Sequence, residues 1–350
     1  MKKLRIAILG AGGISPTHCV GIKSHAAAEL VAVADSNRPR AEALASQFNI
    51  PQIFDSIEAA LSDPSIDAVS IALPTFLHAP TAVSALKAGK HVHSDKPFAM
   101  NQREAEGVMR AAESSGKIMM VGMNQRFTPE AQTIKACVER GELGEIYFVK
   151  AYWTRRSGIP SFGTWFGDKK RSGGGALLDI GVHELDLCLS LLGNFKPISV
   201  SGFSYTKLGN RGLGEGGWGR SEKGKHVFDV DDLSGGLLRL EGGVAIQLEA
   251  AWARHQEARD EHNVELFGTE GGATVYPARL FQFADDGGYT MSEPRNASPR
   301  YPHFNRFHNW IDAILGEAEP ECRLEQSFAV QRIIDAIYES AASGREVRLD

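Results

Sequence analysis

Over the first 120 residues, short apolar runs alternate with stretches of helical period. Residues 4–9, 30–34, 68–73, 91–93 and 118–121 read as strands. Each is short, rich in valine and isoleucine, and free of strict in–out alternation. That is the pattern of strands covered on both faces. Helical spacing fills residues 16–24, 38–48, 56–61, 80–88 and 102–115. The alternation predicts right-handed βαβ units and a doubly wound parallel sheet.

The pattern changes near residue 124. A helix over 129–140 ends at Gly141, and a strand covers 146–153. A glycine-rich loop at 172–175 opens a helix carrying Asp179 and His183. From 198 to 280 the chain is mostly strands, among them 227–230, 234–240, 244–252 and 262–267. Glu241-Gly242-Gly243 is a hairpin turn. Helices at 305–315 and 324–343 close the chain, and 209–225 reads as an exposed loop. Strand runs after a βα half predict an α+β second domain with an antiparallel sheet. The expected division is 1–123 and 124–350, with the last helix able to pack back on the first domain.

The chain has 350 residues, is 43% hydrophobic and 23% charged, and carries a formal net charge of -5. This fits a globular protein and gives no basic surface for nucleic acid. The apolar run before Gly10 is shorter than a signal-peptide core, and nothing approaches a membrane span. Cys19, Cys137, Cys188 and Cys322 are widely spaced, with no C-x-x-C. A cytoplasmic protein is the expectation.

The first strand ends in Gly10-Ala11-Gly12-Gly13-Ile14-Ser15. Gly10 permits a tight turn, and Gly12 lets the backbone approach a pyrophosphate at the helix N-terminus. Asp35 ends the next strand and can accept from both ribose hydroxyls of NAD, with Ser36 beside it. NADP is less favoured, because a 2′-phosphate would meet that carboxylate; Arg38 is the complication. Pro74, Thr75 and His78 follow strand four, where the ligand crevice of such sheets lies. Asp95-Lys96-Pro97 ends strand five, and the proline restricts Lys96 to an extended backbone. An ammonium there could hold a substrate hydroxyl and stabilise alkoxide charge.

Asp179 and His183 stand four apart, on one face of a regular helix, where a carboxylate can orient an imidazole as a general base. The plain alternative is a solvent-facing polar stripe shared with Asp186. Gly181 within this helix hints at close approach by something, such as a cofactor or another backbone. Metal readings, from His91 and His93 or from Asp179, His183 and Asp186, lack a placed ligand set.

Together, Gly10-x-Gly12-Gly13-Ile14, Asp35, Pro74-Thr75-x-x-His78, Asp95-Lys96-Pro97, Asn124-Gln125-Arg126-Phe127 and Gly173-Gly174-Gly175 through Asp179-x-Gly181-x-His183-x-x-Asp186 resemble the glucose-fructose oxidoreductase / inositol dehydrogenase / rhizopine-catabolism (Gfo/Idh/MocA) family. Asp95 replaces the usual Glu. The resemblance implies a Rossmann domain and a second domain with a large open, mostly antiparallel sheet used for dimer or tetramer contacts. It implies NAD(P)-linked oxidation or reduction of a sugar or cyclitol carbon, with Lys96, Asp179 and His183 as the catalytic set. Which of Lys96 and His183 moves the proton stays open. Asn124 joins the cofactor residues. Arg126, Trp153, Arg155, Arg156, Trp165 and His308 join the candidates for substrate. Two alternatives accompany this reading: glycoside cleavage through a transient keto sugar, and a non-catalytic sugar or cofactor sensor.

Overall fold

The computed structural model describes residues 3–217, 221, 226–284, 286–295 and 305–349. In chain order its regular elements are β1 (Leu4–Leu9), α1 (Ser15–Lys23), β2 (Ala28–Ala34), α2 (Arg38–Phe48), β3 (Gln52–Phe54), α3 (Ile57–Ser62), β4 (Ala68–Ile71), α4 (His78–Lys87), β5 (His91–Ser94), α5 (Gln102–Ser115) and β6 (Met119–Val121). There follow α6 (Pro129–Glu139), β7 (Ile146–Arg155), α7 (Lys169–Ser172), a π-helical turn (Leu177–Gly181), α8 (Val182–Leu192) and β8 (Pro197–Tyr205). The chain continues through β9 (Leu233–Leu240), β10 (Ala245–Ala251), β11 (Asp260–Gly268), β12 (Gly272–Thr274), β13 (Arg279–Phe283) and β14 (Tyr289–Ser292). It ends with α9 (Arg306–Leu315), α10 (Leu324–Ser343) and β15 (Val347–Arg348).

Two compact units emerge, Met1–Met123 with Asn305–Phe328, and Asn124–Phe304 with Ala329–Asp350. The segment that joins the first unit is therefore α9 and the start of α10, while most of the last helix groups with the second.

The first unit is a six-stranded sheet in the order β3-β2-β1-β4-β5-β6, every pair parallel. The order reverses between β1 and β4, the switch point at which such sheets bind ligands beyond their strand C-termini. Ile6, Ile8, Leu9, Val69, Ile71 and Val92 are fully buried, as expected of strands covered on both faces. Helix α9 packs on α1 because Gly21 has no side chain: a Cβ there would lie 2.1 Å from the Phe307 ring.

The second unit is a nine-stranded sheet in the order β14-β13-β12-β11-β7-β10-β9-β8-β15. It is antiparallel except between β7 and β10. Gly242 and Gly243 have φ of 85° and 91°, and Leu240 N bonds Val244 O at 2.9 Å, which closes the β9–β10 hairpin as the sequence predicts.

Residues 227–230 do not form the expected strand. Their polar groups are taken by loops instead: Asp229 N bonds Gly167 O, and Val230 O accepts from the Thr206 hydroxyl at 2.7 Å. In the expected exposed loop, Arg211, Leu213 and Glu215 are exposed, while Gly209 is buried. Residues 218–220 and 222–225 lie outside the described residues.

Candidate active site

The glycine loop after β1 has the geometry its sequence predicts. Gly10 has a φ of 102°, and a Cβ there would lie 2.5 Å from Ala72 O, so the turn admits only glycine. At Gly12 a Cβ would meet nothing nearer than Ala72 O at 4.0 Å. Gly12 and Gly13 are exposed, which leaves the backbone open to a close ligand such as a pyrophosphate. Ile14 stands before the first turn of α1. The Ser15 hydroxyl bonds Gly10 O at 2.8 Å and fastens the loop to the helix.

Asp35 follows the last residue of β2. Its two oxygens accept from Ala11 N at 2.6 Å and Asn37 N at 2.7 Å. A carboxylate offers about four acceptor sites, so this bonding orients Asp35 and leaves capacity for a ribose diol. Ser36 is exposed beside it. Arg38 is bound by Glu42 at 2.8 Å and Asp55 at 3.0 Å. Two carboxylates oppose its charge, which removes the main argument for a 2′-phosphate. The residues present fit NAD.

Pro74 and the buried Thr75 follow β4. The ring nitrogens of His78 lie 2.8 Å from the carbonyl oxygens of Leu73 and of Pro97. His78 thus staples two crevice loops together, one of them carrying Lys96.

Lys96 is half-buried at the end of β5. Asp95 is buried and accepts from Arg306 Nη2 of α9 at 3.0 Å. Burial pushes the Asp95 carboxyl up, but Arg306 and neighbouring cations outweigh it and hold the group below the usual carboxylate range. Behind the pair, the Ser70 hydroxyl bridges Nδ1 of His18 (2.9 Å) and of His93 (3.2 Å). Burial, more than the nearby charges, lowers His18 to about 3 and His93 well below its ordinary value. These histidines are neutral core groups.

In the second unit, the Gly173–Gly175 run is shaped by Asp231. A Cβ on Gly175 would lie 1.9 Å from Asp231 O, and one on Gly174 would lie 2.3 Å from the Tyr338 hydroxyl. The Asp231 carboxylate accepts from Gly175 N (2.7 Å), Leu177 N (2.9 Å) and the Tyr338 hydroxyl (2.8 Å). It caps donors that a helix start leaves unmet. Asp179 therefore lies in a π turn, and His183 is the second residue of α8, after Val182. The i→i+5 bonding widens the turn, and residues four apart along it still lie near one face. Asp179 Oδ2 accepts from the Trp252 indole at 2.8 Å. Gly181 admits β10: a Cβ would lie 2.8 Å from that of Ala250. The close approach is made by the sheet.

Helix α8 is not a solvent-facing polar face. His183, Glu184 and Asp186 are all buried. Asp186 receives two bonds from Arg126, Nε at 2.7 Å and Nη2 at 2.5 Å, and the Arg126 side chain is 2% exposed. The expectation that Arg126 binds substrate is corrected: it is a buried partner of α8. Asn124, two residues before it, is exposed.

The Trp153 indole donates to Asp260 Oδ1 at 2.8 Å, and Arg155 Nε bonds Asp260 Oδ2 at 3.0 Å. The Trp153 ring lies 5.7 Å from that of His183. Arg156 is exposed and bonds Glu257 O. Trp165 stacks on Phe166 at 3.8 Å, and Phe166 meets Trp252 edge-on. His308 contacts Ser24 Oγ at 2.7 Å, past the C-terminus of α1. Nine residues of helix, about 14 Å at 1.5 Å each, separate that end from the dinucleotide loop. His308, expected among the substrate residues, is here engaged with the end of α1. Asp231, Trp252, Asp260, Glu184 and His262 were not singled out in the sequence, because none stands in a motif.

Comparisons with known proteins agree with this geometry. Residues 4–123 match the model of an oxidoreductase family with an NAD-binding Rossmann fold, and 131–274 match the GFO/IDH/MocA C-terminal domain. The chain is 32% identical over 349 residues to the D-glucoside 3-dehydrogenase of Escherichia coli (strain K12), covering 99% of this chain and 97% of the other. It is 27% identical to the inositol 2-dehydrogenase of Rhizobium meliloti (strain 1021), covering 99% of both. The fold matches that of a levoglucosan dehydrogenase solved with NADH and levoglucosan, with a TM-score of 0.85 over 99% of each chain, at 24% identity. The dinucleotide loop, the Asp95-Lys96-Pro97 turn and the Asp179–His183 segment thus belong to an oxidoreductase, and the chain is a member of the Gfo/Idh/MocA family.

Proposed function

We propose that the protein oxidises a secondary alcohol of a sugar, sugar derivative or cyclitol with NAD, and that Lys96, Asp179 and His183 are its catalytic residues. Bound NAD supplies the hydride acceptor. His183 takes the hydroxyl proton as general base, Asp179 orients it or shares the proton, and Lys96 holds the hydroxyl oxygen. The observation that carries this reading is that each group is anchored on a rigid element. Lys96 follows β5 beside the Asp95–Arg306 pair, Asp179 is tied to the Trp252 indole, and His183 lies buried on α8.

A glucoside is the first substrate to test, given the Escherichia coli relative. Trp165, with one face covered by Phe166, offers the other to a sugar ring, whereas the Trp153 ring already has His262 stacked on it and the Arg155 guanidinium over it. Asp260 offsets the charge of Arg155, which favours a neutral sugar over a sugar acid. A panel of sugars, sugar acids and cyclitols followed by NADH absorbance tests this reading. His183→Ala should lower turnover by roughly 10²–10⁴-fold with NAD affinity nearly unchanged. Full turnover in that variant would remove His183 from the chemistry.

The open face of the second sheet supports self-association as a dimer or tetramer. Tyr205, Leu237, Phe267, Phe283 and Met291 are exposed on it, Phe283 to 84%. A run of apolar side chains of this kind marks an interaction surface. No helix among the described residues is long and apolar enough to cross a membrane, and a cytoplasmic location fits.

A further inference from the structure

Glu184 follows His183 on α8, and its side chain is fully buried. Neither of its carboxyl oxygens has a hydrogen-bond partner among the described residues. The nearest opposite group is His262 of β11, whose Nδ1 lies 3.4 Å from Oε1 and is itself without a hydrogen bond. Burying a carboxyl with so little compensation is costly. Burial raises its pKa, and His262 opposes that rise.

The His262 ring is held on both sides. It stacks on the Trp153 indole at 4.9 Å and 28°, and lies 4.6 Å from the Tyr276 ring. Trp153 and His262 are directly opposed across the β7–β11 ladder, where cross-strand aromatic pairs stabilise one another. The indole is also pinned at its edge by Asp260, and the Arg155 guanidinium lies 4.7 Å from its ring. Its remaining ring neighbour is His183, at 5.7 Å and 47°. Tyr276, His262, Trp153 and His183 therefore form a continuous row of ring contacts, stacked at its centre and tilted at both ends, with Glu184 set against its second ring.

We propose that Glu184 and His262 are positioning residues for His183: the buried pair fixes the His262 ring, His262 backs the Trp153 indole, and the indole sets the orientation of the His183 imidazole. The pair touches neither substrate nor cofactor in this scheme. The inference rests on the reading of His183 as general base, and misplacing a catalytic group by about 1 Å can cost on the order of 10²-fold in rate.

The test combines histidine-selective NMR with steady-state kinetics on the full chain. In His262→Ala, the His183 ring resonances should move, and kcat should fall roughly 10–100-fold with KM nearly unchanged. His262→Phe keeps a ring against the indole and should recover most of the rate. Glu184→Gln keeps an acceptor for His262 and should fall between the two. A purely structural role would lower the melting temperature without a selective loss of kcat or rescue by phenylalanine. Unchanged His183 resonances and unchanged kcat in folded His262→Ala and Glu184→Gln would overturn the proposal. Moved resonances with full turnover in His262→Ala and in His183→Ala would instead reject His183 as the base, while leaving its support by the row of rings in place.

Discussion

At the scale of single residues, environment decides which polar groups serve chemistry and which serve the fold. His18 and His93 sit in the core around Ser70, and their neutral forms are the ones the fold accepts. His18 is lowered from 6.5 to about 3, by burial above all. A histidine whose folded pKa lies below its unfolded value contributes stability that is present above about pH 6.5. That stability is lost as pH falls toward 3, up to roughly 5 kcal/mol for this one group. Urea unfolding across that window should show the midpoint falling with pH, and His18→Gln should flatten the slope. An unchanged slope in the variant would place the acid sensitivity elsewhere. Arg126 carries the same lesson for charge: its sequence neighbours suggest a ligand, but its guanidinium is enclosed with Asp186.

At the scale of elements, the parallel sheet was readable because a strand covered on both faces writes itself as an unbroken apolar run. β3 left no such run: Gln52 is exposed and its neighbours are only half-buried. The strand expected at 227–230 failed because its backbone bonds to loop residues Gly167 and Thr206 rather than to a neighbouring strand. In the candidate site, the glycine loop and Asp35 were legible from spacing, since backbone geometry forces glycine and a strand end places the carboxylate. The π turn at Leu177–Gly181 was not, because it depends on Asp231 some fifty residues away. Nor was the Glu184–His262 pair, which arises from the packing of α8 on β11. Gly181→Ala tests the packing that shapes this turn. Its methyl would lie 2.8 Å from the Ala250 methyl and 3.0 Å from Leu177 Cδ1. Overpacking of this kind should cost about 1–3 kcal/mol, more than the ~1 kcal/mol of helix propensity gained. A raised melting temperature in Gly181→Ala would show that α8 can move away from β10.

At the scale of the whole molecule, each unit carries one part of the proposed chemistry, dinucleotide binding with Lys96 in one and Asp179 with His183 in the other. The second unit adds an apolar sheet face. Light scattering after size exclusion should give a mass of two or four chains, and Leu237→Glu with Phe283→Glu should shift it toward 38.0 kDa, that of one chain. A single-chain mass for the unaltered protein would rule out that face as an assembly surface. The central claim is that the protein removes hydride from a sugar carbon bearing a hydroxyl and delivers it to NAD. The most direct measurement is to incubate the protein with NAD and a glucoside, then quantify NADH and the keto product together. The account predicts that the two rise in equal amounts and that His183→Ala suppresses both. Loss of the glucoside to free sugar and aglycone with no NADH formed would contradict it.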